Sequence, residues 1–296
     1  MTLTAGIHTL EIATNKALTH DVYVGWSNYD QSNGVHRTKI NPHKFSTDEY
    51  GRYRTLYGSL SAHNDVMAAI YCQQGINPQD TSSLIGYKRM DLSIDMDEPY
   101  SSTVRICRLF LLAMAQKYGA DNNYLSTEPI TGEQKAFRVA KKRERSRHNV
   151  IEIEHYNRSQ IYQEKYDKVV VNRLEFRLTG QRMVHIRSAE QLVDKWRELI
   201  DDAINPTDFK MLEEALALRV WKKSEEMGLP AKDIVSVFSD WILTKRQIAR
   251  IYERAGLKPD SGRRRVDAHK LATYTYKELL AFKEAIFESL DDFVRN

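Results

Sequence analysis

The chain has 296 residues, 42% of them apolar and 28% charged, and its 44 lysines and arginines exceed its 40 acids by a formal +4. Such a makeup suits one large or two smaller globular domains with real hydrophobic cores, and excludes disorder and collagen-like order. The longest apolar runs, such as Leu109 to Ala115, fall well short of the ~18 residues a membrane helix needs, and no basic-then-apolar signal opens the chain, so a cytoplasmic protein with no membrane partner is expected. Cys72 and Cys107 lie in helix-like apolar segments and read as two small buried hydrophobes in a reducing compartment, which removes redox and cysteine-metal chemistry.

The N-terminal half is strand-rich. Ile7 to Ala13, Asp21 to Trp26 and Val35 to Ile40 are β-prone runs, punctuated by Asn33-Gly34 and Asn41-Pro42. Ser61 through Gln73 reads as a capped helix closed by Gly75. A strand from Leu84 to Met96, a helix from Thr103 to Tyr118 ended by Gly119, and strands Val150 to Arg158 and Val170 to Leu178 follow. From Ser188 onward the pattern turns helical. Ser188 caps a stripe of Leu192, Trp196, Leu199 and Ile200, and Pro206-Thr207-Asp208 opens a helix that runs to Met227-Gly228. Further helices are expected at Ala231 to Trp241, Thr244 to Ala255 and Thr273 to Arg295. The fold class is therefore α+β: an antiparallel sheet domain over residues 1–183 with helices on one face, then an all-helical domain over 188–296.

The small net charge conceals segregation. Lys135 to Arg147 holds seven bases and one acid, and Thr244 to Lys270 holds nine bases and three acids, so each segment carries +6 and the remainder of the chain −8. Two concentrated basic segments on an otherwise acidic chain point to a polyanion, with phosphate backbones as the natural target. The DNA-contact candidates are Lys141, Lys142, Arg143 and Arg145 in the first segment, and Lys245, Arg246, Arg250, Arg263, Arg264 and Arg265 in the second. Lys245 to Arg254 fits either the second element of a helix-turn-helix or a basic surface helix of a bundle. Arg263-Arg264-Arg265, after Lys258-Pro259-Asp260-Ser261-Gly262, reads as a mobile basic loop.

Three strands share a feature that composition does not require. Alternation puts Met90, Leu92, Ile94 and Met96 on one face and Arg89, Asp91, Ser93 and Asp95 on the other. In the next strand Ile151, Ile153 and His155 oppose Glu152, Glu154, Tyr156 and Arg158. In the third, Leu174, Phe176 and Leu178 oppose Arg173, Glu175 and Arg177. If these strands share a sheet, one face is core and the other gathers carboxylates, arginines and a tyrosine. The wet side of an antiparallel sheet has the same look, with Arg and Glu pairing across strands. The combination also suits chemistry: carboxylates suit Mg²⁺ or Mn²⁺, arginines suit phosphate, and a tyrosine can attack phosphorus. A phenol of pKa ~10 needs a base or nearby cations to act at neutral pH.

The order Arg89-x-Asp91-x-x-x-Asp95, then Tyr156-Asn157-Arg158, then Arg173-Leu174-Glu175-Phe176-Arg177-Leu178 resembles the motifs of rolling-circle replication initiators of plasmids and filamentous phages and of related relaxases. The resemblance covers roughly residues 84–180, and its motifs are short and degenerate. It implies an initiator-nuclease-like sheet that nicks one DNA strand through a tyrosine, keeps a 5′-phosphotyrosyl link and leaves a 3′-hydroxyl for a polymerase. Carried onto this chain, it implies Tyr156 as nucleophile, Asp91, Asp95 and Glu175 as ligands for Mg²⁺ or Mn²⁺, and Arg158 and Arg173 as phosphate contacts. Tyr166-Asp167-Lys168 is a second fit to the tyrosine motif, but only seven residues before Arg173; Tyr162 is a third. The partners implied are origin DNA, single-stranded or supercoiled, with a host helicase and polymerase.

Departures from related patterns matter. No His-x-His pair is present for a metal, and His155 falls on the core face, so metal binding would rest on carboxylates, with His148 or His155 nearby at most. No phosphate-binding Gly-x-x-x-x-Gly-Lys-Ser/Thr loop occurs, so ATP-driven unwinding by this chain is not expected. His185-Ile186-Arg187 has the wrong spacing for a tyrosine recombinase. The alternative reading is a non-catalytic, sequence-specific DNA-binding initiator or regulator, with a protein-binding scaffold as a third.

Overall fold

The structure is a computed structural model that describes residues 2–81, 83–118, 129–130, 133–134, 136–143, 146–158, 165–166, 172–179, 183 and 185–296, by backbone alone from 129 to 150. In chain order it holds β1 (Leu3–Thr14), β2 (Val24–Asp30), β3 (Val35–Ile40), α1 (Leu60–Gln74), β4 (Leu84–Met96), α2 (Tyr100–Tyr118), β5 (Pro129–Ile130), β6 (Glu133–Gln134), β7 (Ala136–Arg143), β8 (Ser146–Asn157) and β9 (Asn172–Thr179). Helices follow: α3 (Ala189–Ala203), α4 (Pro206–Glu226), the single turn α5 (Ile234–Val237), α6 (Lys245–Arg254), α7 (Pro259–Ala268) and α8 (Tyr276–Arg295). Among the described residues no helix is long and apolar enough to cross a membrane.

The fold is α+β, as expected. Seven strands pair antiparallel in the order β2-β3-β1-β4-β9-β8-β7, so the three motif strands β4, β9 and β8 lie side by side. Their alternation places Met90, Leu92, Ile94, Met96, Ile151, Ile153, Leu174, Phe176 and Leu178 in the core. Each such side chain contributes about 1.5–3 kcal/mol by leaving water. The helix α3 closes over this face: its Leu192, Val193 and Trp196 are fully buried, and Trp196 meets Phe176 edge-on at 5.0 Å. Ser188 starts α3 as expected, its hydroxyl accepting the Gln191 amide at 3.3 Å.

Contacts divide the chain into two compact units, one of Met1–Tyr100, Asp121–Leu199 and Ala285–Asn296, the other of Ser101–Ala120 and Ile200–Glu284. The expected divide near 183–188 lies inside the first unit, because most of α3 packs on the sheet, whereas α2 groups with the later helices. The core of the second unit includes Ala217 and Val220 of α4, Ile234, Val235 and Phe238, Ile248, Ile251 and Tyr252 of α6, and Val266 of α7.

Several expectations are corrected. Residues 258–265 are not a mobile loop, since all but Lys258 fall within α7. Pro259 suits a first helical position, where its missing N–H costs nothing, and Asp260 sits in the first turn, favoured by the helix dipole. The helix expected over Ala231 to Trp241 is instead two 3₁₀ turns flanking α5, because Phe238 leaves helical geometry (φ −106°, ψ 27°) while Ile234, Val235 and Phe238 turn into the core. Cys107 is buried but Cys72 is exposed on α1. The first basic segment forms the hairpin of β7 and β8, with β7 at the sheet edge.

Candidate active site on the polar sheet face

Register assembles the polar face in rungs. Asp91, Arg177 and Glu152 stand side by side across β4, β9 and β8; Ser93, Glu175 and Glu154 form the next rung; Asp95, Arg173 and Tyr156 form the third. This face is not a wet one. Asp91, Ser93 and Arg173 are fully buried, and Asp95, Glu152 and Glu175 nearly so. The segment after β3 crosses over it: the Arg173 Nη2 donates to the Thr55 carbonyl at 3.3 Å, and Tyr53 bridges in parallel to Tyr166.

Each carboxylate expected to bind metal has an arginine partner. Asp95 takes both arms of Arg173, Nε at 2.5 Å and Nη2 at 2.9 Å, a bidentate pair. Asp91 accepts from Arg89 Nε at 2.7 Å and Arg177 Nε at 3.2 Å. Arg177 also binds Glu175 at 2.6 Å and, more closely, Glu152. The burial of Arg177 would lower its pKa, but Asp91 and Glu175 more than offset that and raise it. Burial pushes the Asp91 carboxyl up, against the pull of Arg89. Among the described residues, no group of three or more His, Cys, Asp or Glu side chains is arranged to hold a metal ion. As arranged, the donor set does not fit Mg²⁺ or Mn²⁺, since an ion would have to displace Arg177 or Arg173 first.

Tyr156 is partly buried and donates its hydroxyl to Glu175 Oε2 at 3.2 Å. Burial raises its pKa well above the ordinary phenol, with Arg173 pulling the other way, so it is protonated at neutral pH and faces a carboxylate that can take the proton. Arg158 is 5% exposed, and its Nη1 has no hydrogen-bond partner among the described residues; the same holds for Arg173 Nη1. Burial, then the charge of Arg173, lowers the Arg158 pKa. The guanidinium lies 5.2 Å above the ring of Tyr166, which is in turn 6.3 Å from the ring of His43. Both tyrosine candidates thus flank Arg158, but only Tyr156 lies in the sheet ladder. Tyr162 is outside the described residues.

Two site neighbours escape sequence reasoning. His8, at the β1 irregularity between Ile7 and Thr9, stacks on His43 at 4.3 Å. Burial drives both rings toward the neutral form, helped by Arg173, with His43 down to about 3. No local pattern marks them, because His43 is brought there by a turn after β3 and His8 by a break in strand periodicity. His155 is a core residue as its alternation implied, hydrogen-bonded to Asn172 at 2.9 Å and stacked on Tyr100. The side chain of His148 is outside the described residues.

Of the remaining DNA-contact candidates, the side chains of Lys141, Lys142 and Arg143 lie outside the described residues, as does Arg145 entirely. Lys245 pairs with Asp267 at 2.8 Å, Arg246 with Glu213 at 3.5 Å and Arg250 with Glu214 at 2.7 Å. Arg263, Arg264 and Arg265 are exposed on α7.

No family model matches the chain, and neither does any curated protein. A solved structure, the rolling circle replication initiator protein from Geobacillus stearothermophilus, is similar over 73% of this chain and 83% of that one, at 12% identity and a TM-score of 0.28.

Proposed function

We propose that this chain initiates DNA replication by nicking one strand through Tyr156. The observation that carries the reading is a buried polar sheet face on which a phenol hydroxyl points at a carboxylate, beside two arginines that each keep an unsatisfied N–H. A buried guanidinium lacking a full set of acceptors is costly, and a phosphate oxygen would supply what Arg158 and Arg173 lack. In this scheme the Tyr156 oxygen attacks phosphorus and its proton passes to Glu175. The bond from phosphorus to the 3′ oxygen breaks, the 3′ oxygen takes a proton from water, and the 5′ phosphate remains on the tyrosine. The arginines offset the charge gathered on the phosphate oxygens. The resemblance of the Tyr156-Asn157-Arg158 and Arg173 to Leu178 motifs to those of rolling-circle initiators supports the same reading, and so implies a helicase and a polymerase as later partners.

One observation favours the alternative, a non-catalytic DNA-binding initiator or regulator: every expected metal ligand is the counter-ion of an arginine. The two separate by mass spectrometry. The full chain is incubated with random-sequence single-stranded oligonucleotides and Mn²⁺, with a chelated parallel sample, then digested. A nucleotide-linked peptide containing Tyr156, lost in Tyr156→Phe, is expected. An adduct on Tyr166 would move the nucleophile, and salt-sensitive DNA binding with no adduct would establish the alternative.

A further inference from the structure

The pairing of bases in the second unit differs sharply between its two adjacent helices. In α6, Arg246 and Arg250 are held by Glu213 and Glu214 of α4, and the buried face of Ile248, Ile251 and Tyr252 faces the core. After α6 comes a turn, Ala255 to Lys258, in which Gly256 takes φ +68°, a value side chains resist. Then α7 packs back through two residues, Gly262 and Val266, one helical turn apart. Gly262 lets it come close, since a Cβ there would sit 2.8 Å from the Tyr252 ring. Every other residue of α7 except the half-buried Pro259 is exposed.

We infer that α6, the turn and α7 form a helix-turn-helix in which α7, not α6, enters the major groove of duplex DNA. A four-residue turn with glycine joining two packed helices is a feature shared with that motif, whose second helix presents side chains to base edges. Helical spacing places Arg264 directly opposite the buried Gly262 and Val266, with Ser261 and Ala268 on one side of it, Asp260 and Asp267 on the other, and Arg263 on the flank beyond those acids. Arg263 has only an exposed partner one turn away, Asp260 at 2.9 Å, and Arg264 has no ion pair among the described residues. Arg264 is thus placed for bases, where arginine reads guanine, and Arg263 and Lys258 for phosphates. A polyanion is the occupant that matches the basic side formed by Lys258, Arg263 and Arg264, which outweighs the two acids of α7, and a groove-width helix exposed on nearly all sides matches duplex better than a flat protein surface.

The inference rests on DNA being the partner of the chain, but not on nicking. It is tested by fluorescence anisotropy of the full chain on a mixed-sequence DNA duplex across a salt series. The double variant Arg263→Ala/Arg264→Ala is expected to lose at least ten-fold in affinity and to show a shallower dependence on salt, whereas Arg246→Ala/Arg250→Ala stays within two-fold of wild type. Both pairs are surface changes, and thermal melts confirm that they fold. Equal losses in the two variants, or a loss confined to α6, would overturn the assignment. A Tyr156 adduct without duplex binding would sink this inference alone, and duplex binding through α7 without an adduct would sink only the nicking reading.

Discussion

Asp95→Asn separates a counter-ion from a metal ligand. Arg173 has a side-chain exposure of 0% and Asp95 of 9%, and among the described residues the guanidinium gives two hydrogen bonds to that carboxylate and one to the Thr55 carbonyl. Asparagine keeps the shape but removes the charge, and turns one acceptor oxygen into a donor facing a donor. One neutral amide oxygen and the 3.3 Å contact to the Thr55 carbonyl would then remain in place of the paired carboxylate for a fully buried cation. Breaking one side of a buried pair costs about 3–5 kcal/mol. At about 2–4 °C per kcal/mol for a unit of this size, the melting temperature should fall by roughly 6–20 °C.

The companion double variant, Asp95→Leu/Arg173→Met, removes both charges and should recover most of that loss, because two desolvated ions are replaced by packed apolar groups. Thermal melts in chelator measure both. If Asp95 is instead a ligand whose pairing with Arg173 is incidental, the single variant will melt within about 1 kcal/mol of wild type in chelator, and only a Mn²⁺-induced rise will disappear. A double variant no better than the single would also refute the reasoning, since the penalty would then not come from an uncompensated guanidinium.

Three further outcomes are expected. Arg158→Ala should leave the melting temperature unchanged or raised, because a buried cation with an unsatisfied N–H is removed, yet weaken single-stranded DNA binding by about 1.5–3 kcal/mol; parallel losses in both would make Arg158 a structural residue. Gly262→Ala should destabilise the second unit by about 1–3 kcal/mol despite the better helix propensity of alanine, because the Tyr252 ring is held by its hydroxyl on the Ala231 carbonyl at 3.0 Å and cannot step aside; urea melts check it. Burial holds His63 down at about 4 against an ordinary 6.5, only partly countered by Glu190, so the unfolded chain binds its proton first as pH falls. The contribution of His63 is therefore complete above about pH 6.5 and lost toward pH 4, at up to about 1.4 kcal/mol per pH unit, and His63→Gln should flatten that part of the stability profile.

The sheet face was legible because period-two alternation is local. Leu84–Met96 and Val35–Ile40 carry their own bounds, and residues 89–95, 152–158 and 173–177 sort themselves onto faces without any knowledge of neighbours. Alternation says which face a residue takes but not which rung. Whether Arg173 would meet Asp95 or another carboxylate depends on register between strands 78 residues apart, and that register decides between a metal site and an ion-pair network. The α7 helix was hidden for the opposite reason. Pro-Asp-Ser-Gly is turn chemistry by composition, and only the Tyr252 ring, brought in by α6, shows that Gly262 serves close packing rather than a bend.

The two basic segments, equal in charge, differ in what the fold does with them. The first runs along β7, the edge strand of the sheet, where lysines and arginines discourage pairing with another chain, so those bases have a structural reason that requires no DNA. Arg246 and Arg250 of α6 likewise answer carboxylates of α4. Arg264 answers neither need, and Arg263 meets only the exposed Asp260 of its own helix, because the buried contacts of α7 run through Gly262 and Val266 on the opposite side. Self-repulsion among arginines costs stability unless a ligand of opposite charge recovers it. The charge that the fold does not use for itself is therefore the charge that identifies the partner, and it lies on one helix of the second unit and at Arg158 beside Tyr156 in the first.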